Sequence, residues 1–182
     1  MIKLHLGCGR RDFGPDWCHI DGGDFDHLNK NSGTIDTLDF PNKTIDLIYA
    51  SHLIAYWDEL EVVQILMEWF RVLKPGGVLR LATPDFGIMT KLYQEKKVSY
   101  NDIKGPLYGR MYMNENKIYH KVCYDYNSLF TLLDSIGFQG IKQYNWRDTE
   151  HAGFDDHSMA YLNPKGDKEK GTLISLNVEC IK

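Results

Sequence analysis

A glycine-containing segment near the start of the chain has the residue types that let a backbone approach a ligand closely. The apolar stretch at residues 3–6 is followed at once by Gly7, Cys8 and Gly9, and then by polar sequence. A glycine turn after a first strand can bind a dinucleotide, but that fingerprint places a third glycine where this chain has Asp12. A carboxylate beside a pyrophosphate is electrostatically unfavourable, so the turn favours a ligand without phosphates.

An acidic residue follows the second predicted strand. Asp21 stands in the sequence CHIDGG, with Gly22 directly after it. A carboxylate there can accept hydrogen bonds from both hydroxyls of a ribose, although it could also be an ordinary loop aspartate. Behind the glycine turn, the ribose role is the favoured interpretation. A ligand with adenosine and an amino-acid part but no phosphates meets no electrostatic objection from Asp12, and S-adenosylmethionine is such a ligand.

Short apolar segments alternate with helical patterns along the chain. Strands are predicted near 3–6, 18–21, 34–38, 45–50 and 78–83, and such nearly continuous apolar runs are typical of parallel strands. Helices are predicted over 58–74, directly after Asp85, and over 126–136, where Gly137 ends the helix. The first of these helices should bury Trp69 and an apolar stripe formed by Leu60, Val63, Met67 and Phe70.

The end of the chain has a different pattern. Two further strands, within QGIKQYNWR and TLISLNVEC, are separated by 148–171, which has no helical periodicity. A parallel crossover normally contains a helix, so these two strands should be antiparallel neighbours. About seven mostly parallel strands predict one α/β domain over 1–182, doubly wound, with its ligand at the carboxyl ends of the strands.

Four segments, in this order, resemble class I S-adenosylmethionine-dependent methyltransferases, and more narrowly the methyltransferase-11 type. They are LHLGCG, DFPNKTIDLIYASHLIAYW, EWFRVLKPGGVLRLATPD and SLNVECIK, and they span nearly the whole chain. The resemblance implies a methyltransferase that uses S-adenosyl-L-methionine. It also implies a Rossmann-like sheet of seven strands in the order 3-2-1-4-5-7-6, with strand 7 antiparallel.

The resemblance also implies which residues bind the cofactor. The glycine turn would line its methionine part, Asp21 would hold the ribose, residues 36–38 would flank the adenine, and residues 50–52 would lie beneath the sulfonium. The implied cofactor-binding set is Gly7, Cys8, Gly9, Asp21, Gly22, Asp36, Thr37, Leu38, Ala50 and Ser51.

The chain departs from the family pattern in two places. Residues 10–17 are too short and too rich in Gly and Pro for a full helix, so the first crossover helix should be lost or reduced to a turn. The family's frequent H-x-L-E-H reads His52-Leu53-Ile54-Ala55-Tyr56 here, so no role of that Glu-His pair transfers. His52 remains the candidate general base, and its alternative role is structural, beneath the cofactor.

The long segment 97–125 is the candidate lid. Because the first strand begins at residue 2, we expect this later segment to exclude water and to supply acceptor specificity. Its candidate substrate-binding residues are Tyr108, Arg110, His120, Lys121 and Tyr124, for a polar or anionic acceptor, and the alternative is a solvated loop. The spacing in HAGFDDHS (151–158) matches no defined metal geometry, so no metal is predicted there, but rather an ordered loop near the substrate opening.

Composition narrows the possible partners. The net charge is −4 without a run of Lys or Arg, so neither nucleic acid nor an anionic membrane is an expected partner. Four scattered cysteines and the absence of a long apolar segment predict a cytoplasmic protein with reduced thiols.

The expected activity is methyl transfer to a small or medium polar acceptor, possibly an oxygen of a sugar or related metabolite. The alternatives are a protein or peptide acceptor, a non-catalytic S-adenosylmethionine-binding partner subunit, and an oxidoreductase, which Asp12 disfavours.

Overall fold

A central six-stranded sheet organises the chain, as seen in a computed structural model that describes residues 1–29, 32–113 and 115–182. The strands are β1 (Lys3–Leu6), β2 (Trp17–Ile20), β3 (Ile45–Ser51), β4 (Leu73–Pro84), β5 (Met111–Met113), β6 (Asn116–Ile118), β7 (Gln139–Gln143), β8 (Tyr161–Leu162), β9 (Thr172–Leu173) and β10 (Ser175–Ile181). The helices are α1 (Glu59–Val72), α2 (Phe86–Gln94), α3 (Tyr100–Tyr108) and α4 (Tyr126–Ile136).

The order of the central sheet is β2-β1-β3-β4-β10-β7. The first four of these strands are parallel, and β10 runs antiparallel between β4 and β7. This confirms the mostly parallel α/β sheet and the antiparallel pair near the end of the chain. The parallel strands bring Leu6, Ile20 and Ala50 into register, so the segments that follow them emerge side by side at one edge.

The predicted strand at 34–38 is wrong, and the sheet therefore has six strands rather than seven. Within this segment the Thr34 and Thr37 amides each donate to the other residue's carbonyl, which closes a turn. Side chains of helix α1 bind other backbone groups of the segment. The Trp69 indole donates a hydrogen bond to the Ile35 carbonyl, and the Leu38 amide donates one to Glu68. The remaining strands keep the expected order.

The sheet consequently ends at β2, a short strand whose free edge is bonded at His19 by a single residue, Asn29. The His19 amide donates to the Asn29 side chain at 2.7 Å, and the Asn29 amide donates back to the His19 carbonyl at 2.9 Å. One asparagine therefore replaces a neighbouring strand at this position.

The three predicted helices are confirmed, each beginning after an aspartate cap. Asp58, Asp85 and Asp125 accept hydrogen bonds from the first turns of α1, α2 and α4. Helix α4 ends at Gly137, whose φ of 108° suits glycine. Asp58 and Glu61 complete a capping box at the start of α1.

The predicted stripe of α1 is wrong, although Trp69 is fully buried as expected. Leu60 and Met67 are exposed, and a neighbouring stripe faces the sheet instead: Val62, Ile65, Leu66, Trp69 and Val72. Helix α1 is apolar around most of its surface, so spacings of three and four residues occur on both stripes. The buried stripe is the one that contains the large Trp69 side chain.

The two faces of the sheet are covered differently. Helices α1 and α4 pack on one face, over a core that includes Leu4, Ile48 and Leu79. Residues 7–16 contain no helix, which confirms the loss of the first crossover helix. Phe13 and a buried His151 cover the other face instead, stacked with each other at 5.4 Å.

Among the described helices, none combines the length and the apolar character that crossing a bilayer demands.

The aromatic layer on the second face buries uncharged histidines, which predicts a loss of stability in acid. Burial lowers the pKa of His151 from 6.5 to about 4 and that of His5 to about 2. Below pH 6.5 the unfolded chain therefore binds protons that the folded chain excludes, so the free energy of unfolding falls as pH falls. Each such histidine contributes a slope of up to about 1.4 kcal/mol per pH unit.

The variant His151→Phe tests this prediction. Among the described residues, neither ring nitrogen of His151 has a hydrogen-bond partner, and its ring stacks on aromatic neighbours, so phenylalanine suits the site. Urea unfolding between pH 6.5 and 4 should show a shallower pH dependence in the variant than in the unmodified protein. Equal slopes for the two proteins would contradict the prediction.

Candidate active site

The glycine turn and the acidic residue meet at the carboxyl ends of β1 and β2. The Gly9 amide donates to Asp21 Oδ2 at 2.8 Å, and the Gly23 amide donates to Asp21 Oδ1 at 2.7 Å. A carboxylate has about four lone-pair sites, so each oxygen can accept one further hydrogen bond. The Asp21 side chain is thus oriented by two backbone amides and can still accept from two more donors.

The two glycines of the turn are required for different reasons. Both have a positive φ, 65° at Gly7 and 56° at Gly9, a conformation that suits glycine. A Cβ at Gly7 would lie 2.7 Å from the Leu53 side chain, whereas a Cβ at Gly9 would have no atom within 4 Å. The missing side chain at Gly7 therefore leaves room for the Leu53 side chain. Gly9 borders open space, where a ligand can approach the backbone.

Cys8, between these glycines, is not available as a nucleophile. Its side chain is buried, and its Sγ lies 3.5 Å from His27 Nε2. Burial, with a further effect of the nearby Asp21 carboxylate, raises the pKa of the thiol to about 12. The thiol remains protonated at neutral pH, so Cys8 contributes packing rather than covalent chemistry.

The end of β3 approaches the glycine turn from the adjacent strand. Ala50 is buried in the middle of the sheet, and the buried Ser51 hydroxyl has no hydrogen-bond partner in the part of the chain that the structure describes. His52 has a φ of 51°, an unusual conformation for a residue other than glycine, and its amide donates to the Ala82 carbonyl at 2.7 Å. This turn leads directly to Leu53, which packs against Gly7.

A chain of hydrogen bonds fixes the proton on one nitrogen of His52. Ser175 donates its hydroxyl hydrogen to Asn177 Oδ1 at 2.9 Å, and Asn177 Nδ2 donates to the Ser158 carbonyl. The Ser175 hydroxyl has only one hydrogen, so toward His52 Nε2, at 3.1 Å, it acts as the acceptor. His52 therefore carries its proton on Nε2, which leaves Nδ1 with a free lone pair.

His52 is a neutral base in this environment. Burial, together with the nearby His157, holds the pKa of His52 well below its usual range. The two imidazole rings lie 5.2 Å apart. An unprotonated imidazole at neutral pH is the form that can accept a proton from an acceptor group.

The three residues expected at the adenine lie beside helix α1. Asp36 is exposed and accepts a hydrogen bond from the Thr34 hydroxyl, Thr37 is exposed, and Leu38 is buried against the core. Backbone hydrogen bonds tie this segment to α1. Their role at the adenine stays a prediction.

The five candidate substrate residues occupy different environments. Tyr108 and Arg110 are exposed, and Lys121 forms an ion pair with Glu61 at 2.7 Å. His120 packs over Gly109, where a Cβ would lie 2.1 Å from its ring. Tyr124 is buried in the main core, and burial raises its pKa to about 12. Tyr108, Arg110 and Lys121 thus have exposed side chains, whereas Tyr124 is buried.

The segment 97–125 folds into α3 and a hairpin formed by β5 and β6. The hairpin reaches the cofactor side of the sheet, because the Met113 sulfur would lie 3.4 Å from a Cβ built on Gly22. The base of the hairpin is attached near His52 by a hydrogen bond of 2.6 Å from the Tyr56 hydroxyl to the Gly109 carbonyl. Met113 thus lies next to the residue that follows Asp21.

The segment 151–158 is an ordered part of the second sheet face. Asp156 is buried and accepts a hydrogen bond from Tyr49, whereas Asp155 is exposed and pairs with Lys168. His157 is exposed and lies near His52. In the described part of the chain, no group of three or more metal-binding side chains converges.

The structure adds residues that the sequence analysis did not identify, above all Ser175 and Asn177. Their polar side chains alternate with Leu176 and Val178 along β10, so a period of two residues marks one polar face at the start of a buried strand. That alternation is visible in the sequence, although the partner of the polar face is not. Leu53 and Met113 gave no such signal, because both are apolar residues outside regular patterns.

Comparisons with known proteins agree with this fold. The family described as "Methyltransferase domain" matches residues 21–81. No curated protein sequence matches the chain.

Three solved structures share the fold. A SAM-dependent methyltransferase from Archaeoglobus fulgidus is 13% identical, with a TM-score of 0.57 over 100% of this chain and 86% of that one. A possible histamine N-methyltransferase from Thermotoga maritima is 15% identical, with a TM-score of 0.54 over 99% and 81%. The 1,6-didemethyltoxoflavin-N1-methyltransferase of Burkholderia thailandensis, which has S-adenosylhomocysteine bound, is 11% identical, with a TM-score of 0.57 over 100% and 70%. Residues 21–81 thus match a methyltransferase domain, and the fold is shared with S-adenosylmethionine-dependent methyltransferases, to which this chain is similar.

Proposed function

We propose that this methyltransferase acts on a small or medium-sized polar acceptor, with an oxygen of a sugar or related metabolite as the first candidate, and that His52 is its general base. The observation that carries the proposal is the Asp21 carboxylate, oriented by the Gly9 and Gly23 amides at the end of β2. A protein or peptide acceptor is the second candidate.

The residues at the strand ends fit the cofactor. Asp21 retains lone pairs for the two ribose hydroxyls, and Gly9 leaves free a space that any side chain would fill. Gly7, Cys8, Gly22, Ala50 and Ser51 lie around these two residues in sequence and in the sheet. When bound, S-adenosylmethionine supplies a methyl group on a positively charged sulfur, which is an excellent leaving group.

The protein's contribution to such a reaction is orientation and proton removal. In-line alignment of the two reactants can contribute roughly 7–11 kcal/mol without covalent catalysis. His52 accepts a proton from the acceptor at Nδ1, while Ser175 holds the Nε2 proton in place. The buried, protonated Cys8 takes no part in this step.

The names of two similar structures favour a small acceptor. One is a possible histamine N-methyltransferase and another methylates 1,6-didemethyltoxoflavin, both of them small nitrogen compounds. Neither name selects oxygen over nitrogen for this chain.

Binding and transfer experiments test the proposal. S-adenosylhomocysteine at 100 times its dissociation constant should stabilise the protein by about 2.7 kcal/mol. For a chain of this size the melting temperature should rise by roughly 5–11 °C. NADH is the control ligand, and a rise with NADH alone would contradict the proposal. Labelled methyl transfer to fractionated metabolites and to proteins then distinguishes the two acceptor classes, and cofactor binding without any transfer would indicate a non-catalytic subunit.

The hairpin of β5 and β6 is proposed as the lid, and this gives a further prediction. Replacing residues 110–119 by a short glycine linker removes Met113 from Gly22 but leaves Asp21 and Gly9 unchanged. Acceptor turnover should fall far more than the affinity for S-adenosylhomocysteine measured by calorimetry, because the lid excludes water and contacts the acceptor. Equal losses of the two would contradict the lid role.

A further inference from the structure

Arg11 is attached to the glycine turn and extends away from it. It follows Gly9, the residue that borders open space beyond the end of β1, by two positions. Its amide donates to the Cys8 carbonyl at 3.1 Å, which fixes the backbone of Arg11 beside the turn. Its side chain then reaches a distant part of the chain, because Nε donates to the Asp155 carbonyl at 3.0 Å. Arg11 therefore connects the glycine turn with the segment that contains Asp155.

That segment also carries a residue that lies beside the candidate base. His157 follows Asp155 by two positions, and its imidazole ring lies 5.2 Å from the ring of His52. Burial lowers the pKa of both histidines, and the positive charge of Arg11 lowers both further. The guanidinium is thus close enough to act electrostatically on the base, while its backbone belongs to the turn that a ligand can approach.

The half-buried Arg11 has no ion-pair partner among the residues that the structure describes. Its two acidic neighbours are engaged elsewhere, since Asp12 lies 3.7 Å from His19 and Asp155 pairs with Lys168 at 2.9 Å. Three other arginines pair with glutamates: Arg71, Arg80 and Arg147. Arg11 is therefore a partly desolvated cation whose charge is not balanced by a nearby carboxylate.

The guanidinium of Arg11 retains the donors that recognise a carboxylate. Its Nε–H is used on an uncharged backbone carbonyl, whereas no described residue accepts a hydrogen bond from Nη1 or Nη2. The N–H groups of these two nitrogens lie in one plane and can bind both oxygens of a carboxylate at once. An anionic group of that geometry would both balance the charge and satisfy the free donors.

We propose that Arg11 binds a carboxylate between the glycine turn and His52. Such a group can come from the amino-acid part of the cofactor or from the methyl acceptor, and the experiment distinguishes these sources. The inference rests on the proposed function, because it takes the glycine turn as part of the cofactor site and His52 as the base. The competing explanation is that Arg11 only ties the turn to the Asp155 carbonyl.

Calorimetry with two ligands that differ only in the carboxylate tests the cofactor as its source. S-adenosylhomocysteine and its decarboxylated analogue, which keeps the amino group, are titrated into the unmodified protein and into Arg11→Met. The variant should bind S-adenosylhomocysteine at least about tenfold more weakly, ~1.4 kcal/mol, and bind the analogue as the unmodified protein does. Arg10→Met, at the exposed neighbouring arginine, is the matched control and should change neither affinity. Unchanged affinities in Arg11→Met, or equal losses with both ligands, exclude the cofactor as the source.

Acetate, a small carboxylate, tests the acceptor as the source. It is titrated into the protein saturated with S-adenosylhomocysteine, and the NMR signal of the Arg11 Nε–H group is followed. This signal is assigned by its absence from Arg11→Met. A shift with acetate and none with chloride at the same ionic strength would support a carboxylate on the acceptor. Exclusion of the cofactor together with no acetate-specific shift would overturn the inference and leave Arg11 a structural tie.

The same samples separate the inference from the proposed function. Failure of the unmodified protein to bind either nucleoside would overturn the proposed function. The acetate titration of the protein without ligand would then decide the inference alone. Urea unfolding of Arg11→Met measures how much the bond to Asp155 contributes to stability, so that a loss of folding is not mistaken for a loss of binding.

Discussion

Asp21→Asn should weaken the binding of S-adenosylhomocysteine by about a hundredfold, an effect of ~2.7 kcal/mol. The carboxylate uses a different oxygen for each of the Gly9 and Gly23 amides. A carboxamide has only one oxygen, so its NH2 group must face one of these donors or the ribose. Hydrogen bonds to charged groups are worth about 1.5–3 kcal/mol each, which gives the expected size of the loss.

Isothermal titration calorimetry measures this effect directly. Asp16→Asn is the matched control, because Asp16 is an exposed aspartate just before β2 and should bind the ligand as the unmodified protein does. Urea unfolding without ligand checks that the turn remains folded in both variants. If Asp21→Asn bound S-adenosylhomocysteine with unchanged affinity, Asp21 would not be the residue that binds the ribose.

His52→Asn should lower methyl transfer by about 10²-fold or more, the usual contribution of a general base, and leave cofactor affinity almost unchanged. Asparagine tolerates the positive φ of this position better than most residues, so the turn to Leu53 should persist. The loss should therefore be chemical rather than structural. Single-turnover transfer of a labelled methyl group measures it, with calorimetry on the same samples.

The pH profile separates a base from a structural histidine. The low pKa of His52 keeps its imidazole unprotonated at neutral pH, so the rate should decline only well below pH 6.5, as the ring gains its proton. His157→Asn removes a neighbour that lowers the pKa of His52, so the decline should move toward higher pH. A rate in His52→Asn equal to that of the unmodified protein would leave His52 only a structural role.

Local sequence signals predicted much of this fold because they depend on neighbouring residues. Asp58 and Asp85 marked two helix starts, and Gly137 marked an end, since caps satisfy backbone groups within a few positions. Structure that depends on residues distant in the sequence was predicted less well. The segment 34–38 has strand composition, but α1 offers its backbone better partners than a sheet edge does.

In the candidate site, too, contacts set by neighbouring strands were predicted better than contacts between distant residues. The glycine turn and Asp21 follow two neighbouring parallel strands, β1 and β2, so their meeting at the carboxyl ends follows from topology. The contact of His52 with Ser175 joins residues 123 positions apart through the reversed strand β10. Ser175 could not be predicted from local sequence as the hydrogen-bond partner of His52, although the alternating polar positions of β10 were visible.

The asparagine at the border of the sheet has a consequence for how this protein behaves at high concentration. An unpaired border strand is a template on which a second chain can add itself and begin an aggregate. Here Asn29 consumes both outward-facing main-chain groups of His19, so an incoming chain finds no free donor or acceptor at that residue. A single residue, whose side chain accepts one hydrogen bond and whose backbone amide donates the other, thus blocks the addition of a second chain at this point.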